Sequence, residues 1–165
     1  MNHVLLIPLL ASVLAVGCSQ SNLPTGPTPL VGNELTSDVL AAMDEAIGDE
    51  YRAEAIYRGV IDDFGAVTPF VNIIGAEVRH SAAIARLFQT RGLTAPADTW
   101  TSPTVPHYPS VAAACAAGVT AEQDNIAIYD RYSALPLPAD VRQVFENNRG
   151  ASLYNHLPAF QRCAP

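Results

Sequence analysis

Glu77 and His80 stand three residues apart, so on an α-helix they share a face and can offer a carboxylate oxygen and an imidazole nitrogen to one ion. Three more residues of ligand type accompany them: Glu50, Glu122 and His156. Tyr57 follows Glu50 by seven residues and Tyr129 follows Glu122 by seven, so both pairs repeat at an offset of 72, while His80 and His156 are 76 apart. An isolated Glu-x-x-His pair is common on protein surfaces and says little. Here the neighbours change its meaning. Glu77 and His80 lie among Ile73, Ile74 and Ile84, Glu50 follows Ile47, and Glu122 sits between Val119 and Ile126. Each carboxylate therefore falls on an apolar stripe, where a charge without a partner is costly. Three inward glutamates in one small domain predict a bound cation. The competing reading is a buried polar network satisfied by Arg149, Tyr57, Tyr129 and water.

Such convergence needs helices that face one another. Apolar residues recur at three-to-four spacing from Val39 to Phe64, after a start signal at Ser37-Asp38 and before a stop at Gly65, which predicts a first helix. Thr68-Pro69 opens a second, with Phe70, Ile73, Ile74, Ile84, Leu87 and Phe88 on its inner face, ending before Gly92. From Leu93 to Pro109 four prolines with Ser and Thr predict one long crossover, which Trp100 pins onto the bundle, with His107 at its surface. Ser110 is the expected cap of a third helix reaching Ser133, and Asp140 that of a fourth containing Val141, Val144, Phe145, Phe160 and Cys163. Pro158 is expected to kink this last helix just after His156, because it cannot donate to the Tyr154 carbonyl.

The apolar stretch within residues 1–17 reads as a secretory signal peptide, too short for the ~20 residues that span a bilayer. Ala15-Val16-Gly17-Cys18 resembles a bacterial lipobox, which implies lipidation of Cys18 and membrane attachment through that lipid. Ser19 after it implies, in a Gram-negative host, the outer membrane facing the periplasm. Residues 18–34 read as a flexible tether, and residues 35–165 suffice for one domain. With a net charge of −7 and nine basic residues in no cluster, nucleic acid is a poor partner.

Asp49-Glu50-Tyr51-Arg52-Ala53 with Tyr57, Pro69-Phe70 through Glu77-x-x-His80, Ala121-Glu122 with Tyr129, and Asn155-His156-Leu157-Pro158-Ala159-Phe160 together resemble the ferritin-like superfamily of carboxylate-bridged di-iron proteins. The resemblance implies an all-α, antiparallel four-helix bundle built of two helical hairpins joined by one long crossover. In that superfamily two helices each give a glutamate and two each give Glu-x-x-His; Glu50 and Glu122 would be the former, and Glu77 with His80 one of the latter. The second pair departs from the pattern, since Leu153 stands three residues before His156; Glu54 or Glu146 could replace the missing carboxylate. Also implied are one or two iron ions, with manganese or zinc compatible with the same ligands, and ferroxidase or peroxide- and oxygen-scavenging activity. Tyr57 and Tyr129 would be hydrogen-bond or redox partners of the metal, dioxygen or peroxide the substrate, and the electron donor a separate protein. The alternative is a non-catalytic envelope module with a structural ion or none.

In an exported chain two cysteines remain once Cys18 is lipidated, and they face an oxidising compartment. Cys115 precedes Glu122 by seven residues and Cys163 follows His156 by seven. If the third and fourth helices are antiparallel with Glu122 and His156 level, the cysteines meet and form a disulfide. The alternative is a pair of buried free thiols.

Overall fold

The computed structural model describes residues 35–100 and 104–165. The expected signal peptide, the lipidated Cys18 and the tether lie outside the described residues. Helix α1 spans Ser37–Phe64, α2 Phe70–Gln89, α3 Val111–Tyr132 and α4 Ala139–Ala151; a single π-helical turn, Ser152–His156, then joins α4 to α5, Leu157–Cys163. Since α4, the π turn and α5 run on without a break, they act as one fourth helix. Among the described residues there is no strand, and no helix is long and apolar enough to cross a membrane.

Side chains at the helix ends account for the boundaries. Thr36 Oγ1 accepts from the Val39 N–H at 3.2 Å, so the cap of α1 lies one residue before the expected start. Ser110 Oγ caps α3 as expected, accepting from Ala113 N–H at 3.1 Å. Gly65 ends α1 with φ +81°, a conformation that glycine adopts without steric penalty, while its N–H bonds the Ile61 carbonyl. Asp140 departs from its expected role. The helix already begins at Ala139, and Asp140, inside the first turn, accepts from Arg91 Nη2 at 2.8 Å and so ties the end of α2 to the start of α4.

Two apolar clusters fill the bundle, one at each end. Val39, Met43 and Ile47 near the start of α1 meet Ile84 and Phe88 near the end of α2, Tyr129 near the end of α3, and Val141 and Phe145 of α4. At the other end Tyr57 and Val60 of α1 meet Phe70 and Ile73 of α2, Cys115 of α3 and Phe160 of α5. This sharing makes α1 antiparallel to both α2 and α3, and α2 antiparallel to the fourth helix, with the crossover running back along the bundle. Gly118 lets α3 approach α5: a Cβ built on it would lie 2.6 Å from the Phe160 ring. Cys115 and Cys163 are disulfide-bonded, with Cα atoms 5.7 Å apart, as the matched spacing from Glu122 and His156 predicts.

Ahead of Pro158 the helix widens: a π turn spans Ser152–His156, and Leu157 N–H bonds Ser152 O, five residues back. Ser152 and His156 are buried, Leu153 is only partly so, and Tyr154 is 73% exposed.

Candidate metal centre

Between the two apolar clusters lies a polar layer. Glu50, Glu77 and Glu122 are 0%, 2% and 2% exposed, and His156 is nearly as buried. All five expected ligands meet there, as two triads that share one residue: Glu50, Glu77 and His80, and Glu77, Glu122 and His156. Within each triad one candidate ligand atom per residue lies within 4.8 Å of the others. Glu77 turns one oxygen toward each half. Its Oε2 is 3.0 Å from His80 Nδ1, and its Oε1 is 3.0 Å from His156 Nδ1. The outer carboxylates complete the halves, with Glu50 Oε2 3.2 Å from His80 Nδ1 and Glu122 Oε2 3.4 Å from His156 Nδ1. The two imidazoles stack with centroids 5.5 Å apart.

The tyrosines cross between the halves. Tyr57 of α1 donates to Glu122 Oε1 of α3 at 2.6 Å, and Tyr129 of α3 donates to Glu50 Oε1 of α1 at 2.5 Å. Burial, followed by the adjacent carboxylate, holds each phenol well above its usual pKa, so both remain protonated donors. Each outer glutamate thus has one oxygen fixed by a tyrosine and the other aimed at an imidazole.

Three buried carboxylates against two imidazoles set the charge balance. Burial alone would favour neutral imidazoles. The carboxylates outweigh it, raising His80 to about 9 through Glu50 and Glu77 and His156 to about 10 through Glu122 and Glu77. Burial also pulls the Glu77 carboxyl upward, but the imidazoles of His156 and His80 against its two oxygens hold it below the usual range. Complete burial pushes Glu50 up despite its contact with His80. In the metal-free protein, imidazolium ions therefore supply the positive charge that the glutamates require. A divalent cation is the other species that could do so.

Two buried polar atoms, Glu77 Oε1 and His156 Nδ1, lack a hydrogen-bond partner although they are 3.0 Å apart. The two atoms are close enough for an ion pair, and neither receives a hydrogen bond from any other group. Buried polar groups of native proteins are rarely left in this state. The orphaned atoms and the oxygen and nitrogen donor set both fit a first-row transition-metal ion.

Around the ligands lies a layer that spacing did not reveal. Asn125 donates to Asp49 Oδ2 at 2.9 Å and to Glu50 Oε1 at 3.3 Å, Ser152 donates to Asn125 Oδ1 at 2.8 Å, and Asn148 donates to the Tyr129 hydroxyl at 3.1 Å. Asn125 follows Glu122 by three residues, a signal that was available. Ser152 likewise precedes His156 by four residues and follows Phe145 by seven, which places it on the same helix face. The proposed substitutes for the carboxylate missing at Leu153 do not enter the centre: Glu54 pairs with Arg58 on α1, and Glu146 is exposed. Arg149 turns outward to Asp130 at 2.6 Å, so it takes no part in the buried network. In the crossover, His107 is exposed and pairs with Asp63 at 2.7 Å, and Trp100 is half-buried against α1.

Fold and centre together define a four-helix protein with a buried carboxylate and histidine cluster able to hold metal. Comparison of the chain with protein-family models, curated proteins and solved structures finds no match.

Proposed function

We propose that this chain is an exported, ferritin-like metalloprotein, anchored by lipid at Cys18, whose central cluster binds one or two transition-metal ions, iron foremost, for redox chemistry on dioxygen or peroxide. The observation that carries the reading is Glu77. One carboxylate, buried and shared by two triads, faces an imidazole on each side and keeps one oxygen without a hydrogen-bond partner. Glu50, Glu77 and His80 would hold one ion, and Glu77, Glu122 and His156 the other. Bound iron would supply the electrons for reducing dioxygen or peroxide, replenished by a separate donor protein. The protein's part is to orient and to exclude. Tyr57 and Tyr129 fix the outer carboxylates, the apolar clusters on either side keep bulk water out, and the imidazoles give up their protons to admit the cation. Manganese and zinc suit the same ligands. The Cys115–Cys163 disulfide supports residence in an oxidising compartment.

One observation favours a non-catalytic alternative, an envelope module holding a structural ion. Among the described residues neither triad holds a fourth carboxylate: Asp49 bonds to Asn125 and Arg52 beside the centre, and Glu54 and Glu146 lie elsewhere. Anaerobic loading of the full chain with ferrous iron separates the readings. Wild type is expected to bind iron stoichiometrically and to consume oxygen or peroxide faster than Glu77→Ala and His80→Ala. Equal metal content in all three would exclude the site, and metal binding without faster turnover would leave the structural ion. Labelling with a radioactive fatty acid, lost in Cys18→Ser, tests the anchor.

A further inference from the structure

The crossed tyrosine bonds relate the halves of the centre by an approximate twofold exchange of α1 with α3, at the sequence offset of 72. Under the same exchange Asp49 corresponds to Ala121, and Ala53 to Asn125. Here the symmetry breaks. Over Glu50 the seam between the helices is closed by the Asn125 to Asp49 hydrogen bond of 2.9 Å, with Asn125 also reaching Glu50 itself. Over Glu122 the matching positions carry only the methyl groups of Ala53 and Ala121, which cannot bond across the gap. A cavity of ≈ 10 Å³ opens at that place, with Ala53, Ala121, Tyr57, Glu77 and Glu122 among its walls, and Asp49 and Asn125 at its other edge. It is about large enough for one water molecule. Glu50, His80 and His156 do not line it. Outward, Arg52, Ile56, Tyr57 and Ala121 also line a wider groove of ≈ 510 Å³ between α1, α3 and the crossover.

The geometry points to an entry seam between α1 and α3: ligands of no more than two heavy atoms reach the Glu77, Glu122 and His156 half between Ala53 and Ala121, whereas over Glu50 the same seam is closed by the Asn125 to Asp49 bond. This inference rests on the metal-binding reading above. It makes the α1/α3 seam the route by which dioxygen or peroxide reaches the Glu77, Glu122 and His156 half. The size of the throat selects against anything bulkier.

The double variant Ala53→Asn/Ala121→Asp copies the closing pair onto the open half. The full chain, loaded anaerobically with ferrous iron, is mixed with nitric oxide as a diatomic probe, and formation of the iron nitrosyl is followed by absorption and electron paramagnetic resonance. The double variant is expected to bind as much iron as wild type but to form the nitrosyl of the Glu77, Glu122 and His156 half at least tenfold more slowly. Ala53→Val, a smaller change within the same helix, is expected to slow it several-fold and serves if the double variant does not fold by circular dichroism. Equal nitrosyl rates in wild type and a folded, iron-loaded variant overturn the seam and leave the metal site standing. Absence of iron in wild type overturns the metal site, and the seam with it.

Discussion

Tyr57 donates its phenol to Glu122 across 65 residues of chain, from α1 to α3, at 2.6 Å. This bond fixes one oxygen of a buried carboxylate and so directs the other toward His156. Tyr57 also packs against Phe70 and Phe160, with ring centroids 5.6 and 5.2 Å away, so one side chain joins the polar layer to the apolar cluster beside it. Tyr57→Phe keeps the ring and removes only the donor. Glu122 Oε1 would then be buried without that bond, at a cost of about 1–3 kcal/mol. A lower urea midpoint with unchanged slope is expected, together with weaker metal binding; an unchanged midpoint would show that the bond contributes nothing to stability.

Glu77 serves both halves of the centre, whereas Glu122 serves one. Glu77→Gln preserves shape while removing the charge from between the two imidazoles. In a cobalt or ferrous titration it is expected to lose more metal than Glu122→Gln. Glu54→Gln and Glu146→Gln are expected to match wild type, because neither carboxylate enters the centre. Metal retained by Glu77→Gln but lost in Glu54→Gln would reverse the assignment.

The stability of the metal-free protein should fall as the solution becomes alkaline. His80 and His156 titrate near 9 and 10 when folded and near the ordinary histidine value of about 6.5 when unfolded. The folded state therefore binds more protons than the unfolded state between those values. Their contribution is fully present below about 6.5, declines once the unfolded histidines lose their protons, and is gone above about 10. Urea midpoints in a chelator at pH 6, 8 and 10 should decrease in that order. Metal-loaded protein should show a flatter profile, since the ion replaces those protons; a midpoint that rises toward pH 10 without metal would contradict the charge balance of the centre.

At Gly118 the closeness of α3 to α5 can be tested directly. A methyl group there meets the Phe160 ring at 2.6–2.8 Å, well inside contact distance. Overpacking of this kind costs about 1–3 kcal/mol, against the ~1 kcal/mol that alanine contributes in a helix interior. Gly118→Ala is therefore expected to lower the melting temperature. A rise would mean that Phe160 moves aside freely.

The disulfide closes 48 residues of chain. On the chain-entropy estimate its reduction removes about 4 kcal/mol of stability. Denaturation with and without reductant, compared with Cys115→Ala/Cys163→Ala, is expected to show this loss in both cases. Identical midpoints for oxidised and reduced protein would place the constraint's contribution near zero.

Much of this protein is legible along the chain because helical periodicity is a local property. Apolar spacing located the helices, the same spacing put Glu50, Glu77, His80 and Glu122 on inward stripes, the ferritin-like resemblance added His156, and the matched seven-residue intervals put Cys115 level with Cys163. What tertiary structure alone decided depends on contacts between helices. The crossed bonds of Tyr57 and Tyr129, the Asn125 to Asp49 closure, and the capture of Asp140 by Arg91 each join residues far apart in sequence, so no local period encodes them. The π turn is a further case: between Ser152 O and Leu157 N–H the helix takes one residue more than a regular turn, and a pattern counted at 3.6 residues per turn does not register it.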